Sequence, residues 1–126
     1  MTPVAAIAQS GLAAATLKLS ASASNTANAR DTSAVGASGY QPLGVVDSAL
    51  PDGGVTVQAV NLKPASLLAY DPTSPLSNPQ GYVQAPEIDP ISEISSQMAA
   101  SQAFAYSLKV LRAAKQEQQT LVDLKT

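Results

Sequence analysis

The chain has 126 residues, room for one domain, and its nine acidic and seven basic side chains leave a net charge of −2. Cysteine and histidine are both absent, which excludes disulfides, thiolate metal sites and any catalysis resting on imidazole. Charged residues are 13% of the chain, about half the usual share of roughly 25%, so the surface repels neighbours weakly and suits a molecule whose outside becomes interface.

Hydrophobic residues reach 45%, but 23 of them are Ala, with one Phe and no Trp. Ala folds well into helices and adds little buried area, so an isolated globule is hard to build from this composition. The Lys and Arg residues are scattered and form no basic stripe, which argues against nucleic-acid binding. The N-terminus lacks the basic start, continuous apolar run and early cleavage site of a secretory signal. No stretch of about twenty apolar residues stands out as a bilayer span, so no membrane insertion is expected, and any export must follow a route that removes no standard signal peptide.

The first predicted element is a helix from about Val4 to Asn28. Ala5, Ala8, Leu12, Ala15 and Leu19 recur at alternating steps of three and four and form one stripe. Ile7 and Leu17 lie off it, so this helix expects several neighbours rather than one flat partner. Ser20 to Asn28 is small and polar.

Eight of the nine prolines fall between Pro42 and Pro90, which excludes a long helix from the middle of the chain. Asp31 to Asp89 reads as loops plus one short hairpin: Leu43 to Ser48 and Val55 to Val60 are β-prone, and Pro51-Asp52-Gly53-Gly54 supplies the turn. Pro72 to Gln80 is expected to be extended or turn-like. Asp71, Thr73, Ser74, Ser77 and Asn78 match no cation-loop spacing and read as a structural turn.

A second helix is predicted from Pro90, with Asp89 as its N-cap and the proline in the first helical position. Ile91, Ile94, Met98, Ser101, Ala105 and Leu108 follow three-four spacing, and Phe104 and Leu111 continue the stripe. A repeat near 3.5 residues favours left-handed supercoiling. Glu87, Asp89 and Glu93 at the start, against Arg112, Lys115 and Lys125 toward the end, match the polarity of the helix dipole. That acidic group reads as a cap and dipole partners rather than a paired-carboxylate or cation site. No catalytic residue, cofactor, metal or small-molecule substrate is therefore expected.

The fold class expected is mainly α: terminal helices (residues 1–30 and 90–126) forming a coiled-coil-like bundle, with an extended, hairpin-bearing insert at 31–89. Burying the large apolar residues of the second helix stabilises by roughly 1.5 to 3 kcal/mol each, against about 1 to 2 kcal/mol per residue for ordering the backbone. The helices are thus expected to fray alone and to become firm on docking.

Two blocks resemble a known family. Ser22-Ala23-Ser24-Asn25-Thr26-Ala27-Asn28-Ala29 is similar to the Ala-Ser-Asn-Leu-Ala-Asn-Ala signature closing the N-terminal helix of flagellar rod, hook and hook-associated proteins. Gly81-Tyr82-Val83, Pro86, Asp89, Glu93, Met98, Ala100 and Ser101 resemble the run into the C-terminal helix of proximal rod proteins of the FlgC type, and Tyr70-Asp71-Pro72 with Pro75-Leu76 resembles the segment before it. The chain departs from the family pattern at Thr26 (usually Leu), Gln102 (Arg), Phe104 (Tyr) and Tyr106-Ser107 (Ala-Asn).

The resemblance implies a structural subunit of the bacterial flagellar basal-body rod, exported through the flagellar type III apparatus and bundled with itself and other rod subunits. The tube so formed would surround an export channel, cross the periplasm and transmit torque. The expected interface residues are Leu12, Leu19, Asn25 and Asn28 on the first helix, and Ile94, Met98, Ser101, Leu108 and Leu111 on the second. The competing reading from the residues is a secreted binding or adaptor protein whose terminal helices fold on one target; a carboxylate-based hydrolase would require a cleft around Glu87, Asp89 and Glu93.

Overall fold

In the computed structural model, which describes residues 3–125, helix α1 spans Pro3–Ala27 and helix α2 spans Pro90–Asp123. Between them lie strands β1 (Leu43–Ala49), β2 (Val55–Asn61), β3 (Ser66–Tyr70) and β4 (Tyr82–Pro86). The start of α2 follows the sequence reading: Pro90 opens the helix, and the Asp89 carboxylate accepts the backbone N–H groups of Ile91 at 3.4 Å and Ser92 at 3.1 Å. The other end departs from it, because the last turn carries no basic residue and Lys125 falls just past the helix.

The helices run antiparallel. Ser22 of α1 touches Glu93 of α2, while a Cβ on Gly11 would come within 2.7 Å of the Ser107 hydroxyl. The seam between them is built from small side chains: Ala8, Ala15 and Ser22 are buried on α1, and Ala100 and Ala114 on α2. Each set recurs at multiples of seven, which keeps it on one side of its helix. Small residues in line let two backbones approach closely, and at Gly11 a Cβ would already crowd the Ser107 side chain.

Part of the α2 stripe read from the sequence lies on another face. The larger residues Ile91, Ile94 and Met98 stand outside the seam, with Ile91 75% and Met98 69% exposed. On α1 the expectation holds for Ala5, Ala8 and Ala15, which are buried, whereas Leu12 is half-buried and Leu19 exposed.

Strands β1 and β2 form an antiparallel hairpin, with Leu43 opposite Asn61 and Ala49 opposite Val55. Gly53 and Gly54 turn it at φ +86° and +88°, where only glycine is unstrained. The hairpin lies along α1 in the reverse direction: Leu43 bonds Asn25, the Lys18 ammonium pairs with Asp47, and the Val55 N–H donates to Ser10 Oγ at 3.1 Å. The lengths agree, since fifteen helical residues and seven strand residues each span about 22 Å. Helix α1 thus sits between α2 and the hairpin, and Ile7, which the stripe left over, lies against Gly53 at the hairpin tip.

A second antiparallel hairpin, β3–β4, pairs Ser66 with Pro86 and Tyr70 with Tyr82 where the sequence suggested only loop. The prolines that argued against strands there, Pro72, Pro75 and Pro79, all fall in the connecting loop, and Pro86 only closes β4. Inside that loop Asp71 and Asn78 accept local N–H groups, the structural turn expected of this segment. Ser33 extends the ladder on the far edge of β4 by exchanging both backbone bonds with Gln84. Among the described residues, β3–β4 packs against neither helix nor the first hairpin.

Helix α1 is, by length and composition, apolar enough to cross a membrane, against the reading above. Its apolarity comes largely from Ala, and its Ser10, Lys18, Ser22 and Asn25 are tied to the hairpin and α2. Those ties place it as the central element of a folded unit.

Candidate assembly surface

Two features meet at the end of the molecule where α1 finishes and α2 begins: a polar clasp and, outside it, an open apolar face. The clasp centres on Asn25, which is 1% exposed. Its Nδ2 donates to the Leu43 carbonyl at 2.8 Å and to Glu93 Oε1 at 3.0 Å; its Oδ1 accepts the Leu43 N–H at 2.8 Å and the Tyr40 hydroxyl at 3.0 Å. An Asn side chain has two donors and two acceptor lone pairs, and all four are used. The amide therefore pairs with both backbone groups of Leu43 as a strand would, fastening the first residue of β1 to α1.

Glu93 completes the clasp. Its carboxylate takes Asn25 on one oxygen and the Ser22 hydroxyl on the other, and Ser22 also lies 2.9 Å from the Glu93 carbonyl. Around the centre, Ser24 bonds the Tyr40 hydroxyl at 2.9 Å, Asn28 donates to the Ser24 carbonyl at 2.8 Å, and Gln97 of α2 donates to Thr26 Oγ1 at 2.9 Å. The small polar stretch at the end of α1 is thus the joint at which both helices and the insert are held together.

Two acidic residues expected to act alike have separate tasks. Asp89 caps α2, and hydrogen bonds to its charged form, first from the Ser92 hydroxyl and then the Ser92 N–H, hold its carboxyl below its ordinary value. Glu93 turns instead to α1.

Of the expected interface residues, Ile94, Met98 and Ser101 lie exposed on α2 and Leu19 exposed on α1. Leu19, Ile94, Met98, Ser101 and Ala105 line one shallow open groove. Leu12, Leu108, Leu111 and Asn28 are half-buried. Asn25, also expected at the interface, is 1% exposed, and its amide is fully bonded within the chain. The residues missed from sequence are Ser22, Tyr40 and Glu93. A signal existed for two of them, since Ser22 falls seven residues after Ala15, and Glu93 seven before Ala100.

At the opposite end α2 outruns α1. Gly11 is level with Ser107, so Pro3 is level with about residue 115, and the residues beyond extend past α1 by about 12 Å. Leu121 and Val122 are exposed there.

The sequence has counterparts in known proteins. A family model described as the C-terminal region of flagellar basal body rod FlgEFG proteins matches residues 80–124, from the end of the β3–β4 loop through α2. The chain is 36% identical over 115 residues to the flagellar basal-body rod protein FlgC of Salmonella typhimurium, covering 86% of each chain. It is 33% identical over 117 residues to the FlgC protein of Buchnera aphidicola, again over 86% of each. The FlgC protein of Bacillus subtilis is 35% identical over 48 residues, 38% of this chain and 32% of that one. An antiparallel pair of terminal helices, a polar joint at the Asn-rich signature and a similarity that runs most of the chain's length lead to one assignment: this chain belongs to the FlgC family of flagellar basal-body rod proteins.

Proposed function

We propose that this chain is a structural subunit of the proximal rod of the flagellar basal body, without catalytic activity, and that it polymerises through its terminal helices into the tube that transmits torque. The observation that carries the reading is the rotation of α2. Its small residues close the seam with α1, and its large ones, Ile91, Ile94 and Met98, remain outside. A chain folded for itself would bury the larger line, because each such side chain contributes roughly 1.5 to 3 kcal/mol on leaving water. Leaving that line open suits a helix completed by sister subunits in a coiled-coil-like bundle, and the terminal helices gain their full order on incorporation.

Family membership supports the rest of the assignment: export through the flagellar type III apparatus without a cleaved signal peptide, neighbours that are other rod subunits, and a position in the rod where it crosses the periplasm. The test is Ile94→Asp with Met98→Asp. Both side chains are exposed, so the isolated chain is expected to keep its helix content while cells carrying only this variant lose rods and motility. Normal rods and swimming with the double variant would remove the outer face of α2 from the interface.

A further inference from the structure

The two hairpins lie in separate sheets, and the spacing of their ladders fixes which backbone groups stand on the outer edges. In β3–β4 the Asp71 N–H donates to the Gly81 carbonyl and the Glu87 N–H to the Ala65 carbonyl, so the odd-numbered residues turn their backbone groups toward β4. Ser66, Leu68 and Tyr70 therefore point theirs outward from β3. In β1–β2 the Leu62 N–H donates to the Pro42 carbonyl and the Leu50 N–H to the Gly54 carbonyl, which sets the even-numbered residues inside. Val57, Ala59 and Asn61 are left pointing outward from β2. Among the described residues, β2 lies against no element but β1 and α1, and β3 against none but β4.

The other two edges are already engaged. On β1, Asn25 takes both backbone groups of Leu43, and Asp47 with Lys18 sets a charge pair alongside; on β4, Ser33 exchanges both bonds with Gln84. Charged side chains guard a strand edge against pairing with another chain, and neither β2 nor β3 carries one. A two-stranded hairpin is marginally stable without a further strand or a helix beneath it. The β3–β4 hairpin rests on no helix, and Leu68 and Tyr70 on its open strand are 60% and 69% exposed.

The two open edges fit each other. Laid antiparallel with Ala59 opposite Leu68, Val57 meets Tyr70 and Asn61 meets Ser66. These pairs set β-branched against aromatic, small against large and polar against polar, and their outward groups exchange about six backbone bonds. A shift of two residues one way sets Leu68 against Asn61; the other way it carries Tyr70 to Val55, whose N–H is already given to Ser10. One copy leaves its own two edges apart, since β2 and β3 make no contact. A second copy supplies the complement of each.

We propose that β2 of one copy pairs antiparallel with β3 of a second copy, Ala59 opposite Leu68, so that the inserts of neighbouring subunits share one four-stranded sheet. The contact joins unlike edges, so it leaves one edge of each kind open at its ends and can be repeated from subunit to subunit. The inference rests on the assembly reading above and adds to it a contact made outside the helices, backbone to backbone.

The absence of native cysteine makes the test direct. Ala59→Cys is combined with Leu68→Cys; both positions are exposed, and opposite residues that exchange both bonds have Cα atoms about 5.5 Å apart, within reach of a disulfide. Basal bodies isolated from cells carrying the double variant are oxidised and separated under non-reducing conditions. The expected result is a ladder of dimers, trimers and higher species, reversed by thiol and absent from either single variant. The ladder should also be lost when Leu67→Cys, on the opposite face of β3, replaces Leu68→Cys. An equal ladder from the Leu67→Cys pair overturns the strand pairing. A dimer from one single variant alone overturns it too, because like edges would then have met. Chain present in the basal bodies but monomeric, with its thiols free or joined within one copy, overturns the contact and leaves the rod assignment standing. Absence of the unsubstituted chain from basal bodies overturns both proposals. Should the variant fail to enter rods that accept the unsubstituted chain, oxidation of the concentrated purified chain decides, a ladder supporting the contact and a monomer overturning it.

Discussion

Replacing Asn25 with Ala tests whether the clasp holds the fold together. The substitution removes four hydrogen bonds at once and leaves the Leu43 N–H and carbonyl, the Tyr40 hydroxyl and one Glu93 oxygen without this partner. An unmade bond to a buried neutral group costs about 1 to 3 kcal/mol, and one to a charged group more. Glu93 and Tyr40 are only half-buried, so water recovers part of that loss, and the expected destabilisation is about 3 to 5 kcal/mol. That is a large share of the 5 to 15 kcal/mol typical of a domain. Urea unfolding followed by helix circular dichroism reads it as a lower midpoint with little change in slope. Asn25→Asp separates chemistry from shape. It keeps the volume but sets a carboxylate beside Glu93 and against the Leu43 carbonyl, so it should cost at least as much as Ala. If both variants unfold within about 1 kcal/mol of the parent chain, less than one such bond is worth, the clasp is incidental and the account of the signature fails.

Two further outcomes follow from single positions. Gly11→Leu drives a side chain into Ser107, where even a Cβ would come within 2.7 Å of the hydroxyl; overpacking of this kind costs about 1 to 3 kcal/mol, and Ser107→Gly should restore part of it in a thermal melt. Asp89 titrates below its ordinary value of 3.8 because its charged form accepts hydrogen bonds in the folded chain. A depressed carboxylate stabilises above its unfolded pKa and loses that contribution as pH falls through the folded one. The start of α2 should therefore loosen only below about pH 4, and Asp89→Asn, which caps without titrating, should remove Asp89's share of that acid dependence in amide exchange at Ile91 and Ser92.

The sequence was most informative where one residue type has few options. Pro90 after Asp89 can open a helix and can hardly sit inside one, so the start of α2 was legible to the residue. Paired glycines after Pro51-Asp52 could turn a hairpin at positive φ, and they do. The second hairpin was not legible, because β3 and β4 are short and their pairing depends on a proline-rich loop whose prolines all fall outside the ladder.

What the sequence alone determined is local: two terminal helices, the proline-broken middle, the cap and the turn, each decided by backbone preferences acting over a few residues. What only the tertiary structure decided is rotation and partnership. Helix α2 carries two lines at the same spacing, one of large side chains and one of small, and periodicity cannot say which of them faces inward. The choice is made by contacts between residues far apart in the chain, Ser22 and Asn25 on Glu93 and Gly11 on Ser107. Those contacts fix the register of the pair, turn the small line in and leave Ile91, Ile94 and Met98 facing out.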